Sequence, residues 1–224
     1  MSNNERVTKR NGIDYAHVTT IIGDVLRMKQ LEQWRGRVGN QVADNKMKKG
    51  ANAGTRLHKA SVFIGTTTPD IPTELDPYES FLIEVLTLWH TENVEEVLGV
   101  EEMVFNDRYK YCGTLDKRII LRGDGKRVTT ADLKTGAGIY PSTRMQTAAY
   151  REVTGDSKRI AIHLDQKDIG ADEIETWRSG KPADRLMIVK KRIKVHKYFT
   201  PAEHKADFNA FLCCRSIYQW LKTT

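Results

Sequence analysis

The spacing of apolar residues predicts a helical first part of the chain, over about residues 15–95. Val18, Ile21, Ile22 and Val25 recur at the three- and four-residue intervals that place side chains on one face of a helix. Two further segments have the same period, and we expect helices over about 51–64 and 78–93.

The middle of the chain changes to a strand pattern that is rich in β-branched and aromatic residues. The turn sequences Asn106-Asp107 and Gly123-Asp124-Gly125 divide it into three segments, which we expect to pair as antiparallel strands. These strands are predicted over 97–106, 111–122 and 127–133. A helix is then expected from Pro141 to about Val153, because proline is well tolerated in the first helical turn.

The last part of the chain, about 158–222, is predicted to hold a buried strand over 159–164 and a final helix. A capping box, Thr200-Pro201-Ala202-Glu203, marks where that helix begins. The order helices, β-meander, helix, strand, helix predicts an α/β (α+β) fold with a central mixed β-sheet flanked by helices. Since no linker-like composition divides the chain, we expect residues 1–224 to form a single domain, with its central part at about 97–154.

The charge balance favours a polyanionic partner. The chain of 224 residues has 36 Lys and Arg against 29 Asp and Glu, a net charge of +7, and basic residues bind nucleic acid by neutralising phosphates. Two clusters contain much of this charge, and a solvated surface is the alternative interpretation of each. They comprise Arg35, Arg37, Lys46, Lys48 and Lys49, and then Lys190, Lys191, Arg192, Lys194 and Lys197.

Cysteine usage and hydropathy indicate a cytoplasmic protein with no membrane partner. The three cysteines, Cys112, Cys213 and Cys214, are too few for a disulfide framework, a zinc ribbon or a four-cysteine iron–sulfur cluster. No apolar run is long enough to span a bilayer, and the N-terminal residues lack the apolar segment of a secretory signal.

Two acidic residues and a lysine in the predicted β-meander suggest metal-dependent chemistry. Asp132 and Lys134 are two residues apart, so they share one face of a strand, and the Asp124-Gly125 turn folds the preceding strand with Asp116 back beside them. Carboxylates are the ligands that Mg²⁺ and Mn²⁺ prefer, and a neighbouring lysine can orient a water molecule or balance charge in phosphoryl transfer. A salt-bridged hairpin on the surface is the structural alternative.

Four short motifs, taken in order, resemble the RecB-like branch of the PD-(D/E)xK nucleases. They are Gly54-Thr55-Arg56-Leu57-His58, Gly113-Thr114-Leu115-Asp116, Asp132-Leu133-Lys134, and Gln146 with Tyr150 one helical turn later. This resemblance covers residues 54–150. It implies a restriction-endonuclease-like core with an N-terminal helical region, and catalytic roles for Asp116, Asp132, Lys134, Gln146 and Tyr150.

The resemblance also implies a metal site. Mg²⁺ or Mn²⁺ is expected, with two ions as the expected number and no iron–sulfur cluster, and His58, Asp116 and Asp132 are the expected ligands. A strand glutamate of this branch corresponds to Glu101 or Glu102, and we favour Glu102 because it shares parity with Val100 and Val104.

The resemblance to this branch implies a DNA exonuclease that acts on duplex ends in phage or bacterial recombination or repair. A single-strand annealing or recombination protein is a candidate partner. Arg35, Arg37, Lys48 and Lys49 precede the helix with His58, so we expect them to hold the DNA end. An endonuclease with the same active site, and a non-catalytic nucleic-acid-binding module, are the alternatives.

Overall fold

A computed structural model of the chain describes residues 6–26, 29–66, 75–136 and 138–223. It begins with a β-hairpin that the apolar pattern did not predict, and four helices follow. These are β1 (Val7–Arg10), β2 (Ile13–His17), α1 (Val18–Val25), α2 (Lys29–Val38), α3 (Asn40–Val62) and α4 (Pro77–Asn93). Helix α4 begins at a capping box in which Asp76 accepts hydrogen bonds from the first turn and Glu79 bonds back to Asp76.

The second half alternates strands and helices. Its elements are β3 (Val94–Asn106), β4 (Tyr111–Leu121), β5 (Val128–Lys134), α5 (Pro141–Thr154), β6 (Lys158–Leu164), α6 (Ala171–Ser179), α7 (Pro182–Arg192), β7 (Ile193–Tyr198) and α8 (Pro201–Leu221). The three predicted antiparallel strands and the helix at Pro141 are confirmed. Among the described residues, no helix combines the length and the apolar character that crossing a bilayer requires.

All seven strands belong to one mixed sheet, which confirms the predicted fold class. The strand order is β1-β2-β4-β5-β6-β7, and β3 pairs with β4. The β2–β4 and β5–β6 pairs are parallel, whereas the other pairs are antiparallel.

Each face of the sheet is covered by a separate hydrophobic cluster. On one face α3, α4, α6 and α7 pack over the sheet, with Leu57, Phe81 and Ile119 among the buried residues. On the other face α1, α5 and α8 enclose Ile21, Tyr150 and Phe211. The helices of the first half therefore cover both faces, and α3 and α5 approach β4 and β5 from opposite sides.

A fork in the sheet determines where the candidate site lies. β4 pairs with β3 along most of its length, but its other edge is shared between two strands. β2 pairs with it at Tyr111 and Cys112, whereas β5 pairs with it from Lys117 to Ile120. Residues 113–116 of β4 lie between these two pairings, so neither strand provides them with a backbone partner on that edge.

Candidate active site

The β4–β5 hairpin brings together the three residues on which the sequence prediction depends. Asp116 lies at the fork, and its Oδ2 accepts a hydrogen bond of 2.6 Å from the backbone N–H of Leu133. Asp132 and Lys134 follow on β5, and Lys134 Nζ lies 2.8 Å from Asp132 Oδ2. The expected juxtaposition of two carboxylates and an ammonium group is therefore present.

The carboxylate of Asp132 is buried without a hydrogen bond. The residue is 1% exposed, and neither of its oxygens accepts a hydrogen bond from any described residue. Its contact within the described residues is the ion pair with Lys134, whose Nζ lies 2.8 Å from Oδ2. Burying an ionised carboxylate in this way is unfavourable unless a cation occupies its lone pairs.

Helix α3 places His58 beside Asp116. The imidazole Nδ1 lies 3.6 Å from Asp116 Oδ2. One turn earlier in α3, a Cβ on Gly54 would lie only 2.8 Å from the hydroxyl oxygen of Thr135, just after β5. A side chain at that position would push α3 away from β5, which gives a physical reason for the glycine four residues before the histidine.

Glu101, and not Glu102, faces this site, so the preference for Glu102 was wrong. One ligand atom each from His58, Glu101 and Asp116 lie within 4.8 Å of one another. Glu102 turns instead over Gly99, and its carboxylate lies 3.8 Å from the guanidinium group of Arg118.

The parity argument failed because β3 and β4 do not alternate regularly at the site. Leu115 packs into the cluster beneath α5. Two residues later, Lys117 points to the opposite face, where its Nζ donates to the carbonyl of Ile64 at 2.7 Å. The alternation therefore changes phase at Asp116. Glu101 lies between the residues that pair with Lys117 and Leu115, and it has a left-handed backbone with φ of 49°.

Helix α5 supplies a hydrogen-bonded chain that ends at Lys134. Lys134 Nζ donates to Gln146 Oε1 at 3.1 Å, and Gln146 Nε2 donates to the hydroxyl of Tyr150 at 3.3 Å. A Cβ on Gly113 would lie 2.6 Å from a ring carbon of Tyr150. Only glycine leaves room for this ring against β4, so the first glycine of the Gly113–Asp116 motif positions the Gln146–Tyr150 pair.

Burial and neighbouring charges shift the pKa values of Asp116, Lys134 and His58. Burial, and then the charge of Asp132, raises the pKa of Asp116 well above its usual range. Burial alone would lower the pKa of Lys134, but the charges of Asp132 and Asp116 outweigh that effect and raise it. Burial also lowers the pKa of His58, which favours the neutral imidazole that can bind a metal.

An open cleft of about 810 Å³ leads to these residues. Its lining includes Arg6, Gly50, Thr55, His58, Glu101, Asp116 and Thr135. The cleft lies between α3 and the β4–β5 end of the sheet. It is therefore wide enough to admit a charged, extended substrate to the carboxylates.

The predicted DNA-binding residues Arg35, Arg37, Lys48 and Lys49 are not among the residues that line this cleft. Arg35 pairs with Asp44 at 2.7 Å, which partly satisfies its charge. Arg37, Lys48 and Lys49 are exposed. The next residue along α3, Gly50, lines the cleft.

The chain is similar in overall architecture to several solved structures, at low sequence identity. No protein-family model matches the chain, and no curated protein matches it. Among solved structures, the chain is similar to SSO0001, with a TM-score of 0.43, 13% identity, and 95% of this chain and 78% of the other covered. It is also similar to the alkaline exonuclease LHK-Exo from Laribacter hongkongensis, with a TM-score of 0.39, 11% identity and coverage of 93% and 92%. A phage-related exonuclease from Haemophilus somnus has a TM-score of 0.37, 13% identity and coverage of 76% and 82%.

The residues present fit a hard divalent cation. His58, Glu101 and Asp116 offer one nitrogen and carboxylate oxygens at mutual distances suitable for one ion. Asp132 adds a buried carboxylate whose oxygens have no other hydrogen-bond partner among the described residues. Lys134 contacts Asp132 directly, and its single charge does not balance the three carboxylates. The site thus has the donors and the excess negative charge that a Mg²⁺ or Mn²⁺ ion requires.

Proposed function

We propose that this protein is a metal-dependent deoxyribonuclease of the RecB-like branch of the PD-(D/E)xK nucleases. The observation that supports this most strongly is the buried carboxylate of Asp132, which has no hydrogen-bond partner and lies next to Lys134 and Asp116. A structural carboxylate at that depth would be hydrogen-bonded. One kept without partners beside further ligands is suited to bind a cation.

In this proposal Asp116, Asp132, Glu101 and His58 hold the metal. A bound Mg²⁺ or Mn²⁺, with two ions as the expected number, would supply Lewis-acid stabilisation of the phosphoryl oxygens and a more acidic water molecule. The excess of carboxylates over cations among the described residues of the site is consistent with more than one ion.

Lys134 contributes a fixed positive charge at the reacting phosphate. The bond to Gln146, which Tyr150 supports in turn, holds its ammonium group between α5 and the carboxylates. A positive charge preorganised in this way stabilises the charge that develops on the phosphorane-like transition state and needs no reorganisation as the reaction proceeds. Gln146 and Tyr150 are therefore positioning residues for Lys134.

We further propose that the substrate is the end of linear DNA and that the enzyme is an exonuclease of phage or bacterial recombination or repair. The open cleft gives a strand access to the metal ligands, and the exposed Arg37, Lys48 and Lys49 suit the terminal phosphates. Arg35, which is paired with Asp44, is the weaker candidate in this group. A single-strand annealing protein that receives the exposed strand would be a natural partner.

Digestion of matched linear and circular duplexes tests this function. With Mg²⁺ or Mn²⁺ we expect mononucleotides or short products from linear DNA, and no nicking of covalently closed circles. EDTA should abolish the digestion of linear DNA. Cleavage of circles at a comparable rate would indicate an endonuclease, whereas binding without cleavage in either metal would contradict the proposal and leave a nucleic-acid-binding module.

A further inference from the structure

The β1–β2 hairpin and the β3–β4 turn together form a basic surface that begins at the cleft. We call it the hairpin surface and define it by its five cations, Arg6, Lys9, Arg10, Arg108 and Lys110. Arg6 lines the cleft of the candidate site. The other four lie along β1 and the turn, which extend away from the cleft.

Aromatic rings hold several of these cations in place. The guanidinium group of Arg10 lies 4.8 Å from the ring centroid of Phe105, and that of Arg108 lies 5.0 Å from the ring of Tyr109. Lys110 Nζ lies 5.7 Å from the ring of Tyr15. Such contacts order the long side chains while leaving the charged groups accessible to solvent.

Few carboxylates neutralise the hairpin surface. Lys9 lies 3.7 Å from Asp14, and Arg10 lies 3.9 Å from Asp107, which also accepts a hydrogen bond from Tyr15. Within the described ranges, neither Arg108 nor Lys110 forms an ion pair with a carboxylate. Five cations against two carboxylates leave a net positive surface on one side of the cleft.

The other predicted basic cluster, 190–197, differs in this respect. Lys191 and Arg192 both bind Glu173, and Lys194 lies 3.4 Å from Asp165. Arg192 is also buried, with 2% of its surface exposed. These cations hold α6, α7 and β7 together, so much of their charge is already balanced.

We propose that the hairpin surface binds the sugar–phosphate backbone of duplex DNA that has not yet been digested; this inference rests on the proposed nuclease function. The rings of Phe105 and Tyr15 lie beneath cations, so the surface presents charges rather than open platforms for stacking of unpaired bases. A surface that presents charges and no stacking platforms is suited to the phosphates of base-paired DNA, which it would bind irrespective of sequence.

The length of β1 sets the position of this contact. From Arg6 at the cleft to Arg10 at the hairpin end, the strand rises about 14 Å at about 3.4 Å per residue. This corresponds to about four base pairs at about 3.4 Å per pair. The surface therefore engages the duplex about four base pairs from the cleft, and shorter duplexes should gain nothing from it.

Salt dependence of binding tests the proposal directly. The triple variant Arg10→Gln, Arg108→Gln, Lys110→Gln is compared with the matched control Lys190→Gln, Lys191→Gln, Lys194→Gln. Each lowers the net charge from +7 to +4. Affinity for a 20-base-pair duplex is measured in EDTA, which prevents metal-dependent cleavage, at several salt concentrations. We expect the slope of log affinity against log salt to fall by about 2.7 for the hairpin variant, about 0.9 for each lost phosphate contact, and to stay unchanged for the control.

The possible outcomes separate the two proposals. Equal slopes for the hairpin variant and wild type, or an equal fall in the control, would overturn the hairpin surface while leaving the nuclease function intact. A larger loss of affinity for single strands than for duplex would also overturn it. Wild-type protein that cleaves DNA in EDTA, or that neither binds nor cleaves it, would contradict the proposed function itself. Unchanged circular dichroism and melting temperature confirm that both variants are folded.

Discussion

Asp132 and Asp156 both have buried carboxylates near β5, but their surroundings are opposite. Asp156 accepts hydrogen bonds from the Arg118 guanidinium group, the shortest at 2.7 Å, and from the hydroxyl of Thr130, also at 2.7 Å. Asp132 has the ammonium group of Lys134 nearby but no hydrogen bond to either oxygen. Burial alone therefore does not separate structural from functional carboxylates, whereas the satisfaction of their lone pairs does.

This contrast predicts the largest effect on activity for Asp132→Asn. The amide weakens binding of a divalent ion, and we expect cleavage to fall about 10²–10³-fold, the scale seen when one electrostatic contact to a transition state is lost. The stability of the metal-free variant combines two opposing changes, because the amide removes repulsion with Asp116 but leaves the ammonium group of Lys134 without its nearest carboxylate.

The measurement is digestion of end-labelled linear duplex with Mg²⁺, together with thermal unfolding in EDTA and in excess Mn²⁺. Wild type should gain melting temperature with the ion, and the variant should gain little. Undiminished cleavage by Asp132→Asn would show that this carboxylate is not a ligand.

Asp156→Asn should show the reverse behaviour. It leaves the Arg118 guanidinium group with the more distant carboxylate of Glu102 as its ion-pair partner. We expect a loss of about 2–3 kcal/mol in the free energy of unfolding, below the range for a fully buried pair because Arg118 reaches solvent. Urea unfolding measures this loss. The folded variant should cleave DNA at the wild-type rate, so a selective loss of activity would contradict a purely structural role.

His58→Ala tests whether the site extends to α3. We expect Mg²⁺-supported cleavage to fall about 10–100-fold, the scale of lost metal-site contacts. Mn²⁺ should restore part of it, since Mn²⁺ is more tolerant of a site with one ligand fewer. His196→Ala, which changes an exposed histidine on β7, is the control. Equal rates for both variants in both metals would make His58 a packing residue.

The smallest predicted effect is the contribution of His90 to the pH dependence of stability. Its Nε2 is buried without a hydrogen-bond partner among the described residues, and burial, followed by the charges of Lys117 and Arg122, lowers its pKa to about 4. A histidine held neutral in the fold stabilises it fully above its unfolded pKa of about 6.5, and this contribution is lost as pH falls from there towards 4. Unfolding free energies of His90→Gln and wild type between pH 8 and about 4 should therefore converge on the acid side. A difference in unfolding free energy that stays constant with pH would contradict the lowered pKa of His90.

Regular patterns in the sequence were sufficient to predict the centre of the site. Turn residues located the β4–β5 hairpin, and strand parity placed Asp132 and Lys134 together, because both depend on local periodicity. The phase change at Asp116 broke that periodicity, so parity selected Glu102 where the structure has Glu101.

Long-range pairing was also hidden from the sequence. The ion pairs of Lys191 and Lys194 with Glu173 and Asp165 join residues 18 and 29 positions apart. The clustering of cations at 190–197 therefore indicated a binding surface, whereas in the fold carboxylates neutralise much of that charge. The hairpin surface gave no such signal, because its cations come from two segments about 100 residues apart that meet only in the folded sheet.

The fork in the sheet gives the molecule a spectroscopic reporter of its own. At the fork the backbone N–H of Leu133 is held by a side chain, Asp116 Oδ2, rather than by a neighbouring strand. Any ion that draws on that oxygen competes with this single amide. The Leu133 amide resonance and its hydrogen-exchange rate should therefore respond to metal titration, while the amides of the paired residues Ala131 and Thr130 stay protected.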